Sequence, residues 1–233
     1  MDEPKPVPVP PGFAATGFPG SGQDVIQLED GTAVFTGGLR RSLDVPPYGE
    51  HTIFRSPDGG KTWGDVTLFG LGLVDEEVAL LKLPSGRILA ALGGGGVDGM
   101  AVWVSDSDDD GRTWSSPPRK VTDEWQHPAD LLLLSDGTVL MSFGSRHPPY
   151  GVRALTSRDE GQTLGYRHNI VLVDNCSGWD CGYPTSLALP DGKILTAYYR
   201  LNSEPPYIEG LWDTPAAVVV KYKESDLLLS LNA

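Results

Sequence analysis

Three arginines stand at matched places in a repeating chain. Arg40 lies nine residues after Gly31, Arg146 nine after Gly137 and Arg200 eight after Gly192. Equivalent positions in neighbouring repeats point the same way, so three guanidiniums can converge. Like charges gathered together are costly unless they hold an anion, and a planar guanidinium fork fits a carboxylate through two parallel hydrogen bonds. The plainer alternative is three surface arginines that follow strands. The loops around them carry Asp44, His127, Asp130, His147, Tyr150 and Tyr183, the residue types that move protons or hold polar ligands. Each also has a structural role open to it. His127 and His147 precede prolines and sit in extended backbone. Tyr150 and Tyr183 flank prolines and can pack with a satisfied hydroxyl. Asp24 and Asp130 recur at the same place ahead of their turns, where they can fasten the start of a repeat. Glu76 and Glu77 are adjacent on a strand, so at most one faces any given side.

The elements that must position these residues are four copies of one phrase: an apolar strand, a turn with glycine, and a second apolar strand. The turn glycines are Gly31, Gly86, Gly137 and Gly192, which gives a period of 55, 51 and 55 residues. Three phrases are followed by a second repeated item, over 56–63 (Ser56-Pro-Asp58-Gly-Gly60-Lys-Thr62-Trp63), 107–114 and 157–164. A fixed period near fifty with strand and turn signals in every unit is the mark of a β-propeller. The expected fold is therefore all-β, with about four blades over residues 23–233 and a Pro/Gly-rich arm over residues 1–22 that reads as a leader or an edge-covering strap.

The box itself has a mechanical explanation. Ser56 and Asp58 can accept hydrogen bonds from the turn's own amides, Gly60 can take a positive φ, and Trp63 can pack between sheets. The acidic run Asp108 to Asp110 reads as turn chemistry, since a calcium loop needs more ligands than it offers. Neither a metal nor a cofactor is called for. Only Cys176 and Cys181 are present, in one short loop, where they are either a small disulfide or two free thiols.

A formal charge of −13 and a pI near 4.6 exclude a nucleic-acid backbone or an anionic membrane surface as partner, because both would repel the chain. No apolar run reaches the roughly 18 residues of a membrane-spanning helix, and no secretory leader is visible after Met1.

The boxes resemble the Asp-boxes of sialidase-like (bacterial neuraminidase repeat) proteins, and the segment from Gly182-Tyr183-Pro184 through Tyr198-Tyr199 is similar to one common in bacterial sialidase sequences. The resemblance covers about residues 24 to 215. It implies six four-stranded blades with the boxes between third and fourth strands, on the face away from the active site. Four phrases supply four blades, and a ring of six needs roughly a hundred more residues. The chain is thus expected to be a fragment or an open arc, with a smaller closed ring as the alternative. The resemblance also implies secretion or a periplasmic location.

Its implications for chemistry are specific. Sialidases use an arginine triad for the substrate carboxylate, an aspartic acid as general acid/base, and a tyrosine nucleophile assisted by a glutamate. The stretch from Gly37 to Asp44 is similar to the family's arginine-plus-aspartate segment, which implies Asp44 as acid/base and Arg40 or Arg41 on the ligand. The stretch from His127 to Arg146 implies Asp130 or His127 at the place of the helper acid and Arg146, beside His147, in the triad. Tyr183 stands in for the nucleophile by position, and Arg200 joins the ligand-binding set by its repeat position. Two departures matter. Gly20-Ser21-Gly22-Gln23 stands where the family has an Arg-Ile-Pro motif, and Gly38 stands where it usually has glutamate. The leading reading is a sialidase-like glycoside hydrolase acting on a terminal acidic sugar. The alternatives are a non-catalytic propeller that binds carbohydrate or protein, and a hydrolase or lyase of another sugar on the same scaffold.

Overall fold

All four sequence phrases close on the same turn, and the hydrogen bonds repeat from one to the next. The Gly31 amide donates to the Leu28 carbonyl at 3.1 Å and the Leu28 amide to the Thr32 carbonyl at 2.9 Å. The same two bonds tie Gly86 and Arg87 to Leu83, Gly137 and Thr138 to Leu134, and Gly192 and Lys193 to Leu189. This is a type I turn followed by a bulge residue in the left-handed region, and the glycines supply it with φ of 88°, 91°, 85° and 74°. The preceding aspartate reinforces the turn: Asp30 and Asp136 each accept the amide two residues on at 2.9 Å.

The computed structural model describes residues 11, 14–15, 25–40, 50–69, 74–96, 99–165, 169–201 and 215–229. Its strands are β1 (Ala14–Ala15), β2 (Ile26–Gln27), β3 (Ala33–Arg40), β4 (Glu50–Ser56), β5 (Gly64–Phe69), β6 (Val74–Lys82), β7 (Ile88–Gly96), β8 (Gly99–Ser107), β9 (Arg119–Lys120), β10 (Gln126–Leu133), β11 (Val139–Ser145), β12 (Gly151–Ser157), β13 (Ile170–Val173), β14 (Cys181–Ala188), β15 (Lys193–Leu201) and β16 (Pro215–Lys223). One short helix, α1 (Glu224–Leu229), follows them. They form four sheets in the orders β1-β3-β4-β5, with β2 also on β3, then β6-β7-β8-β9, β10-β11-β12-β13 and β14-β15-β16. Meandering antiparallel sheets of this kind, one per sequence repeat, are the blades of a β-propeller, and four are present among the described residues. Most of the expected arm lies outside the described residues; Ala14 and Ala15 pair with Arg40 and Leu39 of β3.

The repeated boxes link the third strand of a sheet to the fourth, between β4 and β5, β8 and β9, and β12 and β13. In each, the serine hydroxyl accepts the glycine amide four residues on, at 2.8, 2.9 and 2.9 Å. The aspartate accepts both the amide and the hydroxyl of the threonine, as Asp109 does from Thr113 at 2.7 and 2.6 Å. Trp63 is half-buried and meets Phe35 edge-on with ring centroids 4.7 Å apart. Trp114 is also half-buried, and its indole N–H donates to the Gly111 carbonyl at 3.1 Å. Only Leu164, which replaces tryptophan in the third box, is buried.

The chain divides into two compact units, Met1–Val97 with Val104–Arg119, and Asp98–Trp103 with Lys120–Ala233. Within the first, Arg55 is buried on β4 and spends its guanidinium on structure: it donates to the carbonyls of Asp110 and Asp65, each at 2.8 Å, and to the Thr67 hydroxyl at 2.8 Å. Arg112 adds a two-pronged bond to Asp65 at 3.2 and 2.7 Å. Within the second, Leu134, Leu140, Ala154, Ile170, Ile194 and Leu227 form a core cluster. A chain of hydroxyls crosses from Ser142 to Ser186, Thr196 and Tyr222, each step about 3 Å.

The box aspartates carry a pH dependence. The Thr62 amide and hydroxyl hold Asp58 at about 2, against an ordinary 3.8. Partial burial opposes ionisation at Asp109 and Asp159, and the hydrogen bonds from their threonines and serines outweigh it, bringing both to about 2. A folded-state value below the unfolded one gives stability that is complete above pH ~4 and lost as the pH falls to ~2. These groups face water, so each contributes modestly. Asp109→Asn should therefore lower the melting temperature at pH 7, with the gap to wild type closing between pH 4 and pH 2. Thermal unfolding across that range checks this, and a gap unchanged at pH 2 would contradict it.

Candidate functional site

In the second unit, β10 and β14 carry the same irregularity at the same place. Register shifts between Gln126 and Ala129 and between Gly182 and Thr185, and a third shift falls between Val74 and Glu77 on β6 of the first unit. Each β10 or β14 shift brackets a proline, Pro128 or Pro184, which cannot donate to the ladder. Bulges re-aim side chains at the ends of strands, and here they turn His127 and Tyr183.

Two glycines let neighbouring sheets touch at this level. A Cβ on Gly144 of β11 would fall 2.7 Å from the His127 carbonyl oxygen and 3.3 Å from the Cys181 carbonyl oxygen, and one on Gly182 of β14 would fall 2.8 Å from the Gly144 Cα. No side chain fits between these backbones. The contact brings the residue that follows β11, Arg146, against the residues that begin β14.

The guanidinium carbon of Arg146 lies 5.8 Å from the ring centre of Trp179 and 5.6 Å from that of Tyr183, within cation–π range of both. Its Nε is buried and has no hydrogen-bond partner among the described residues. The Arg146 amide donates to the Trp125 carbonyl at 2.9 Å, and the Trp125 amide donates to the Met100 carbonyl. Trp125 and Tyr183 both hold left-handed backbone, at φ of 61° and 49°, a conformation that costs energy for aromatic residues and gathers at functional sites. Trp179 is 59 % exposed and Trp125 47 %, both high values for indoles. Tyr199 packs at 5.7 Å from Tyr183 and donates its hydroxyl to Asp180. Burial and that carboxylate push the Tyr199 phenol up, so it stays protonated.

Six of the sequence candidates, Arg146, Tyr183, Arg200, Asp130, His127 and His147, belong to the second unit. Arg200 is half-buried on β15 and paired in register with Cys181. Asp130 and His127 are buried on β10, where the Asp130 carboxylate accepts the Ser186 amide at 2.8 Å and so fastens β10 to β14. His147 is exposed. Arg40 ends β3 in the first unit, with only its backbone described, and Asp44 lies outside the described residues. Among the described residues no group of acids, histidines and cysteines is arranged to hold a metal. A cavity of about 360 Å³ in the first unit lies among the hairpin turns at Asp30 and Gly86 and the box residues Asp108 and Asp110, and no candidate is among its lining residues.

Trp125, Trp179 and Tyr199 did not emerge as site residues from sequence. The available signal was two tryptophans in polar loops, where no apolar period explains them.

No protein-family model and no curated protein matches the chain. Solved structures do. A protein of unknown function from Dyadobacter fermentans is 25% identical, with a TM-score of 0.67 over 86% of this chain and 52% of that one. An α-L-arabinanase of Penicillium chrysogenum in complex with arabinobiose is 20% identical, with a TM-score of 0.59 over 87% of this chain and 62% of its own. The Hadza microbial sialidase is 19% identical, with a TM-score of 0.55 over 86% of this chain and 43% of its own. The chain thus spans less than two thirds of each of these proteins. At these identities the likeness is one of fold.

The Asp130 geometry separates two roles. Asn at this position keeps an oxygen for the Ser186 amide, whereas Ala leaves that amide without its partner. Asp130→Ala should cost about 1–3 kcal/mol of unfolding free energy and Asp130→Asn much less. Urea denaturation measures both, and equal losses would contradict the assignment of the carboxylate to fastening the strands.

Proposed function

We propose that the protein is a carbohydrate-active propeller that takes an acidic sugar at Arg146, as a sialidase-like exo-glycoside hydrolase would. The observation that supports this reading is the Arg146 guanidinium, flanked by two aromatic rings, with a buried Nε that has no partner among the described residues. A buried donor of a permanently charged group is expensive to leave unmade. A carboxylate supplies both the acceptor and the counter-charge, and a bidentate bond suits the fork. The exposed face of Trp179 offers the apolar platform that the C–H face of a pyranose needs. A sialidase and an arabinanase among the similar folds are compatible with a glycan ligand.

In this reading Arg146 clamps the carboxylate, Tyr183 and Trp179 frame the ring, and Arg200 and His147 extend the polar rim. Asp44 as general acid/base, Arg40 on the ligand, and Asp130 or His127 as helper remain assignments by resemblance. A second reading, a glycan-binding propeller without hydrolysis, is favoured by one feature. The two carboxylates Asp130 and Asp180 are already engaged, with the Ser186 amide and the Tyr199 hydroxyl.

Arg146→Lys keeps the charge and loses the fork, so it should weaken binding of N-acetylneuraminic acid by about 1.5–3 kcal/mol. Calorimetric titration at fixed salt, with the neutral methyl ester as control, measures this. Equal binding of acid and ester by wild type, or no binding of either at millimolar concentration, would overturn the clamp. Release of the fluorophore from a 4-methylumbelliferyl α-sialoside separates the hydrolase from the binder.

A further inference from the structure

Cys176 and Cys181 are not used by the proposed site, yet they bracket part of it. Residues 177–180 lie between them and carry Trp179, which faces Arg146, and Asp180, which accepts the Tyr199 hydroxyl. Both cysteines are buried in one cluster with Val152 and Tyr198, and the Cys181 thiol lies 3.9 Å from the carbonyl oxygens of Ser145 and Gly151. The two ends of the loop are held from opposite strands. The Cys176 amide donates to the Tyr150 carbonyl at 3.1 Å, while Cys181 begins β14 in register with Arg200. Between them the chain has no ladder partners among the described residues, and its neighbours Asn175 and Ser177 are exposed, which gives a small thiol reagent a route to Cys176.

We propose that Cys176 and Cys181 form a reversible dithiol–disulfide site that takes a low-molecular-weight disulfide as co-substrate and clamps the Trp179 loop. The two thiols are unequal. The neighbouring Cys181 and the Arg200 charge pull the Cys176 thiol down, whereas the neighbouring Cys176 and burial push Cys181 up. Cys176, the less buried of the two and flanked by exposed residues, is the attacking thiolate, and the fully buried Cys181 is the resolving thiol. The Cys176 thiolate attacks one sulfur of glutathione disulfide, breaks its S–S bond and expels one glutathione thiolate. Cys181 then gives up its proton and attacks the Cys176 sulfur, and the second glutathione thiolate leaves. Two protein thiols are oxidised to one disulfide, and one glutathione disulfide is reduced to two glutathione molecules. The closed ring is short, so the clamp acts chiefly on the loop and adds less to global stability than a long-range disulfide would. Its effect on ligand binding rests on the Arg146 reading; the disulfide itself does not.

The test uses the full chain, reduced with dithiothreitol, desalted, and treated with glutathione disulfide. Intact mass should fall by two hydrogen atoms with no glutathione retained, the denatured product should take up no iodoacetamide, and dithiothreitol should reverse both. Cys181→Ser should stop at a mixed disulfide on Cys176, and Cys176→Ser should stay unmodified. Two alkylatable thiols in treated wild type, or glutathione retained on it, would overturn the couple. Tryptophan fluorescence should differ between reduced and oxidised wild type, and Trp179→Phe should remove that difference. A disulfide without a Trp179-dependent change would overturn the clamp. Neither readout requires a sugar, so a failure of the Arg146 reading shows separately, in the calorimetry.

Discussion

Close approach of two backbones, at Gly144 on β11 and Gly182 on β14, is the constraint on which the second unit's site depends. With any side chain at either position the strands would have to part by more than a packed interior tolerates. Because they touch, the residue leaving one strand meets the residues starting the other. Arg146 is thereby set against Trp179 and Tyr183, and the bulges bracketing Pro128 and Pro184 turn the flanking side chains without breaking the pairing further down. Below that level the sheets are joined by polar groups that are fully engaged, from Asp130 on the Ser186 amide to the hydroxyl chain ending at Tyr222. The unit is fastened where its polar groups are paired, while Arg146 Nε and Gln126 Oε1 are buried without a partner among the described residues.

Arginine stands in two kinds of surroundings in this chain. Arg55 is buried with its donors spent on the Asp65 and Asp110 carbonyls and the Thr67 hydroxyl, so it works as a rivet. Burial pulls its guanidinium pKa down, and the bonds it makes offset the cost of holding the charge there. Arg146 has aromatic faces in place of acceptors. Aromatic rings stabilise a cation but accept no conventional hydrogen bond, so an Nε in that setting retains its capacity to donate.

What was legible in the sequence is what is local. The hairpin turns and the boxes close within a few residues on their own amides, so a turn glycine and a Ser-x-Asp box, each at a fixed period, were enough to place Gly31, Gly86, Gly137 and Gly192 and the three box aspartates. One partner of Arg55, the Asp110 carbonyl, lies 55 residues away, and nothing in either segment names the other. The Gly144–Gly182 contact is equally silent, because a glycine in a strand reads as a weak strand. Matched repeat positions singled out Arg146, but of the rings that flank it Trp179 comes from the loop before β14 and Tyr183 from the bulged start of β14, in the next sheet. Trp63 shows the opposite difficulty: its repetition was visible, while its half-buried, edge-on contact with Phe35 depends on tertiary packing.

The proposed function stands or falls on the Arg146 Nε–H as a donor kept for a ligand carboxylate. The most direct measurement is the arginine Nε–H region of a ¹⁵N–¹H correlation spectrum, with the Arg146 resonance identified by its loss in Arg146→Lys. A donor kept for a carboxylate predicts that N-acetylneuraminic acid shifts that resonance and its methyl ester leaves it in place. A resonance unmoved by the acid at millimolar concentration, or moved equally by the ester, would contradict it.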